Sequence, residues 1–220
     1  MQLDLPSSID KKEALRYMGG SGWTPDSATT ALLTTTDEQL LPACPPRGVW
    51  RELPFAAMPL EAAGTDLARH LSGCDHMILM AVTLGSRVDA LMRRLCFADI
   101  ARGAAADALA SALIETLCND FEKTIRADIT GRGLYMTGRY SPGYGDCPLE
   151  LQDALCLALD TVRGIGAGVT AEHLLTPRKT VTAILGVADT PVTGALAGCG
   201  HCLLQTKCAY RKRGTTCASK

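Results

Sequence analysis

Ala105, Leu109, Leu113, Leu117, Phe121 and Ile125 recur at every fourth position of AAADALASALIETLCNDFEKTIR, residues 104–126. Residues four apart share one face of an α-helix, so this stretch predicts a long helix with an apolar stripe turned to a core. No other feature limits the fold as much. A second one narrows it further. HMILMAVTLG, residues 76–85, is a continuous apolar run bounded by glycine, which predicts a strand buried on both faces. Ser86 is then expected to cap a helix, with Asp89 completing a capping box. This strand, turn and helix is either a plain βα corner or a place where a helix N-terminus holds an anion.

The remaining elements are shorter. Asp10 and Glu13 form a capping box for a helix over KKEALRYMG, ended by Gly19 and Gly20. A second helix is expected to start after Asp26 and run to about Leu41, stopped by Pro42, Pro45 and Pro46. VWREL at 49–53 alternates as a strand does, and LEAAGTDLARHLSG at 60–73 reads as helical despite its glycine. GLYMTGRY at 133–140 alternates as a strand. LELQDALCLALD at 149–160 is amphipathic and helical, and Thr170 is placed as the cap of a short helix AEHLL. KTVTAILGVA at 179–188, rich in β-branched residues, is the last strand. Helices and strands mix without a βαβ rhythm, which argues for an α+β fold over a doubly wound sheet. The expected organisation is one domain over residues 1–190 and a Cys-rich tail over 191–220.

Composition excludes some classes. The chain has 220 residues, 47% of them hydrophobic, enough for a good core. Aromatics are only 5%, so that core must come from Leu, Ala, Val, Ile and Met. A net charge of −1 leaves no broad basic field for duplex nucleic acid. MILMAVTL at 77–84 is too short to span a bilayer, and MQLDLPSSIDKKE lacks the order of a secretory signal. The expectation is a soluble cytoplasmic protein with neither nucleic acid nor membrane as partner.

RYSPGYGDCP, residues 139–148, is where chemistry gathers. Pro142-Gly143 suits the centre of a type II turn, with glycine taking the positive φ. The turn lets Arg139 and Tyr144 face one space. Arginine offers a planar fork that matches a carboxylate, and the backbone around Gly143 is open to close approach. A small zwitterion would suit this set, with an acid such as Glu115 for its ammonium group. On the residues alone two readings stand: a ligand site, or a structural turn whose Arg139 pairs with a nearby acid. Glu115 is likewise open. Its helical neighbours Ser111, Ala112, Cys118 and Asn119 are small or polar, so it faces either a groove or solvent.

RYSPGYGDCP resembles the Arg-x-x-Pro-Gly-Tyr-x-x-Cys-Pro signature of the S-adenosylmethionine-binding activation domain of cobalamin-dependent methionine synthase, at Arg139, Pro142, Gly143, Tyr144, Cys147 and Pro148. ADALASALIE at 106–115 is similar to that family's Ala-Asp-x-Leu-Ala-x-Ala-x-x-Glu helix, at Ala106, Asp107, Leu109, Ala110, Ala112 and Glu115. LTPRKTVTAILGV at 175–187 fits its Pro-containing approach to a last strand. HMILMAVTLGSRVD and KKEALRYMG resemble segments of stand-alone members.

The resemblance implies mixed helices around a twisted, largely antiparallel sheet. It implies binding of S-adenosylmethionine by Glu115, Arg139, Ser141, Gly143 and Tyr144. It also implies a role in reductive remethylation of cob(II)alamin, with the electron coming from a flavodoxin-like or other donor. The domain's part would be positioning, so that the methyl group meets the cobalt in line. The family's second ligand tyrosine has no match; Ile184 or Leu185 stands near its place. No Asp-x-His-x-x-Gly cobalamin motif occurs, so the corrinoid is expected on a partner, a cobalamin-binding methionine synthase or a related corrinoid protein. The alternative is a non-catalytic adaptor, or an activator of another corrinoid methyltransferase.

The chain has ten cysteines. Cys44, Cys74, Cys96, Cys118, Cys147 and Cys156 are scattered, and most are expected to act as small buried apolar residues. Cys199, Cys202, Cys208 and Cys217 crowd the C-terminus beside His201. They suit a zinc site or an iron–sulfur cluster, a free thiol tail, or a disulfide.

Overall fold

The computed structural model describes residues 1–19, 23–192 and 194. Helix α1, Lys11–Tyr17, starts where the Asp10 carboxylate accepts from the backbone N–H groups of Lys12 and Glu13. Asp26 caps α2, Ser27–Ala43, through the N–H of Thr29. Strand β1 is Arg47–Leu53 and α3 is Gly64–His70. Strand β2, His76–Thr83, leads to α4, Ser86–Ala98, and then α5, Ile100–Gly131. A short β3, Tyr135–Met136, precedes α6, Leu151–Leu159, and α7, Thr161–Ile165. Strands β4, Gly168–Val169, and β5, Leu175–Thr176, pair with each other, and β6 is Thr180–Ala188.

The main sheet has the order β1-β2-β6-β3 and every pairing in it is antiparallel. This is the expected α+β class. Side chains of β2 alternate between two cores, as a strand buried on both faces must. Ile78, Met80 and Val82 enter a core with α1, α2, α4 and α5, joined by Ala183, Leu185 and Val187 of β6. Met77, Leu79 and Ala81 enter a second core with α3, α6 and α7, joined by Ile184. The α5 stripe from Ala105 to Ile125 is buried throughout. Each such Leu, Ile or Phe contributes about 1.5–3 kcal/mol by leaving water.

Several local expectations are corrected. Helix α2 carries Pro42 in its last turn, where the ring's missing N–H costs a single intrahelical bond. The stretch at 60–73 is broken: Leu60–Ala62 forms a 3₁₀ turn, and Gly64, at φ +85°, redirects the chain into α3. Ser86 caps nothing. Gly85 holds the N-cap position, and the Asp89 carboxylate accepts instead from the N–H of Arg178 at 2.8 Å. The expected helix over AEHLL, residues 171–175, does not form. The Thr170 N–H donates to the Leu174 carbonyl at 2.9 Å and its hydroxyl accepts from Glu172 and Leu174, which closes a hairpin between β4 and β5. Only two residues of 133–140 pair as a regular strand, and Tyr140 then bridges Ile184. Among the described residues no helix is long and apolar enough to cross a membrane.

Candidate functional site

The Ser141–Tyr144 turn forms as the sequence predicts. The Tyr144 N–H donates to the Ser141 carbonyl at 3.2 Å, and Gly143 sits at φ +88°. Two further bonds seal the loop behind it: Gly143 N–H to the Cys147 carbonyl at 3.0 Å, and Cys147 N–H to the Tyr144 carbonyl at 2.9 Å. The Ser141 hydroxyl donates to the Thr182 carbonyl at 2.7 Å and pins the turn to β6. Tyr140 is held to Ile184 by backbone bonds in both directions. The turn therefore stands on the sheet's edge with its first residues fixed.

Arg139, just before the turn, reaches across to α5. Its Nε lies 3.1 Å from Glu122 Oε2, and its Nη2 donates to Asn119 Oδ1 at 2.7 Å. Nη2 also meets Glu115 Oε2 at 3.4 Å, a longer and weaker contact. Nη1 is buried with no hydrogen-bond partner among the described atoms. Glu115, Asn119 and Glu122 are spaced four and three apart, so one helical face presents all three. The approach to Arg139 is braced as well. Arg126 donates to the carbonyls of Met136 and Thr137, and Thr137 Oγ1 and the Gly138 carbonyl both lie within 3.0 Å of His70 Nε2.

Arg139 and Glu115 line one cavity of about 340 Å³, together with Tyr140, Ser141, Tyr144, Gln152, Leu175, Thr180, Val181 and Thr182. That volume lies in the range of small-molecule sites. Arg139 and Glu115 bring a cation and an anion side by side into the cavity wall. The other residues offer hydroxyls, an amide and aliphatic surface. Tyr144 is 60% exposed at the rim. Of the expected ligand residues, Glu115, Arg139, Ser141 and Tyr144 line this space, and Gly143 belongs to the turn beside it. The acid pairing of Arg139, the other reading of the motif, is present too, chiefly through Glu122.

Lining residues that the sequence reading missed come from three elements. Gln152 on α6 is buried and its Oε1 accepts from the Thr182 hydroxyl at 2.6 Å. A polar residue among the apolar positions of an amphipathic helix was a signal for it. Thr180, Val181, Thr182 and Leu175 are brought in by strand pairing alone, which no local pattern reveals. Ile184 and Leu185 are fully buried in opposite cores and do not line the cavity. Asp107, part of the family-like helix motif, pairs with Arg178 and Lys179, each at 3.1 Å, and so ties the start of β6 to α5.

Cys147 packs. It is buried in the second core, and burial pushes its thiol up to about 11. Burial also pushes the neighbouring Tyr140 hydroxyl up to about 12; it donates to the Tyr144 carbonyl at 3.1 Å. Neither group is poised to ionise at neutral pH. Cys199, Cys202, Cys208 and Cys217 lie outside the described residues. Among the described residues no cluster of three His, Cys, Asp or Glu side chains is arranged to hold a metal ion.

No family model matches the chain, and no curated protein matches it. Its structure is similar to the crystal structure of the MetH reactivation domain bound to AdoHcy. The TM-score is 0.61 at 16% sequence identity, and the match covers 94% of this chain and 82% of that one. The likeness is one of fold, and it spans nearly the whole chain.

Proposed function

We propose that the Glu115–Arg139 cavity binds S-adenosylmethionine, and that the protein thereby supports reductive remethylation of cob(II)alamin on a separate cobalamin-dependent methionine synthase. The observation that carries this reading is the Arg139–Glu115 pair in the cavity wall. An amino-acid zwitterion entering there replaces one weak ion pair by two: its carboxylate takes Arg139, and its ammonium takes Glu115. The amino-acid part of the ligand adds no net charge at that pair, so neither protein charge is stranded in a partly buried place. The fold shared with a domain that binds AdoHcy supports the same reading.

Each residue has a distinct part. Arg139 reads the carboxylate, and the backbone of Ser141 and Gly143 offers groups to the ligand at close range. Tyr144 covers the ligand at the rim, where its exposed ring is free to stack. When bound, the ligand supplies an electrophilic methyl group on a sulfonium; the chain's residues bind and orient it. The partner is a corrinoid protein, the electron comes from a flavodoxin-like or other donor, and the setting is the cytoplasm. In this proposal Cys199, Cys202, Cys208 and Cys217 hold zinc or an iron–sulfur cluster.

A second reading is a non-catalytic adaptor that keeps the fold. It is favoured by Arg139 already having Glu122 and Asn119 as partners. Titration calorimetry with S-adenosylmethionine separates the two. The ligand reading expects binding by the wild type and a loss on the order of a hundredfold in Arg139→Ala, since truncating a partly buried charge leaves its partner unpaired. No heat at millimolar ligand leaves the adaptor.

A further inference from the structure

We infer that Glu122, with Asn119, is the positioning residue of Arg139: without touching the ligand, it fixes how the guanidinium is presented to the cavity. The inference rests on the ligand reading above. Glu122 does not line the cavity, whereas Arg139 does. Both side chains are only 19% exposed, so their pairing is weakly screened by solvent. Glu122 Oε2 holds Nε at 3.1 Å, while Glu122 Oε1 accepts from Arg126 Nη2 at 2.7 Å. Arg126 is itself fixed by the carbonyls of Met136 and Thr137, at 2.6 and 2.8 Å. Opposite charges thus alternate from the backbone behind the turn to the cavity: Arg126, Glu122, Arg139, Glu115.

The guanidinium is flat and its donors form a rigid fork. Holding Nε and Nη2 together stops rotation of the plane. Glu122 and Asn119 do this from the helix, one on each nitrogen. The weak contact to Glu115 is then the one a ligand carboxylate displaces. Arginine would otherwise lose the freedom of a long side chain on binding; here that freedom is lost before the ligand arrives. A competing effect has the opposite sign. Glu122 also neutralises part of the Arg139 charge, so its removal would make the site more attractive to an anion. The braced geometry points to positioning as the larger effect.

The test is calorimetry on full-length protein with two probes, S-adenosylmethionine and its decarboxylated form. Glu122→Gln is expected to weaken the first by about tenfold, the range of a coupled charge pair. The affinity for the decarboxylated form should not change, because that probe offers Arg139 nothing to hold. Equal losses for both probes would mean general loosening of the cavity, and would overturn the inference. Unchanged or tighter binding of S-adenosylmethionine would overturn it as well. If Glu122→Gln melts far below the wild type, Asn119→Ser removes the acceptor on Nη2 and permits the same comparison. A wild type that binds neither probe fails the ligand reading itself, and this inference with it; a wild type whose S-adenosylmethionine affinity Glu122→Gln leaves unchanged fails the inference alone.

Discussion

The carboxylate of Asp146 caps the first turn of α3, bonding Thr65 from 81 positions further along the chain. Its Oδ2 accepts from the backbone N–H of Thr65 at 2.7 Å and from the Thr65 hydroxyl at 2.6 Å, and its Oδ1 accepts from the N–H of Asp66 at 2.9 Å. Gly64 makes room, because a Cβ there would collide with Asp146. The loop after the ligand-like turn is thereby fastened to α3. The Thr65 hydroxyl, followed by the two backbone N–H groups, holds the Asp146 carboxyl below its usual value of 3.8. A depressed carboxyl contributes stability that is full above its unfolded value and is lost as pH falls through the folded one. Asp146→Ala should therefore lower the melting temperature at neutral pH. The gap to wild type should narrow only below about pH 3.8, measured by thermal melts across pH.

Glu115 is the exposed half of the cavity's ion pair, with a side chain 42% exposed against 19% for Arg139. In the proposed complex, solvent would weaken its hold on a ligand ammonium accordingly. Glu115→Gln should cost S-adenosylmethionine about fivefold in affinity, much less than Arg139→Ala. The loss should vanish for an analogue lacking the amino group, which calorimetry with both ligands would reveal.

Gly143 adopts φ +88°, and a Cβ there would lie 3.3 Å from Leu149 Cδ1. Gly143→Ala forces an L-residue into the left-handed region, at about 1–2 kcal/mol. Denaturant melts should show that loss, and ligand affinity should fall with it, because the turn carries Tyr144.

Thiol reactivity should follow burial. Cys96 is exposed, whereas Cys44, Cys118, Cys147 and Cys156 are buried. Burial pushes Cys44 and Cys118 up to about 12 and Cys147 up to about 11, so little thiolate exists at neutral pH. Peptide mapping after brief alkylation should find Cys96 modified in the native protein. The buried thiols should become modified only in denaturant.

Leu113 lies on the α5 stripe and is fully buried. Leu113→Ala should destabilise the protein by about 2–5 kcal/mol, the cost of lost transfer energy plus a cavity. Its slope against denaturant should match the wild type.

Much of this protein was written in local pattern. The stripe from Ala105 to Ile125 fixed the face of α5, the apolar run at 76–85 announced a strand between two cores, and Pro142-Gly143 announced the turn. Such periodicities are read from neighbours within a helical turn or a few strand positions, so the sequence determined them by itself. A motif and a resemblance also named Glu115, Arg139, Ser141, Gly143 and Tyr144 as a group, of which all but Gly143 line the cavity.

What tertiary structure alone decided involves partners remote along the chain. Thr170 looked like a helix cap, but pairing with Leu174 gave it a hairpin. Ser86 looked like a cap, but Gly85 made the turn and Asp89 was drawn to Arg178. Packing of α6 on the sheet placed Gln152 against Thr182, and Asp146 found Thr65 across the fold. Glu122, an ordinary acid on a long helix, became the partner of Arg139. Hydrogen bonds and ion pairs act over a few ångströms, and only the folded chain decides which distant residues come that close.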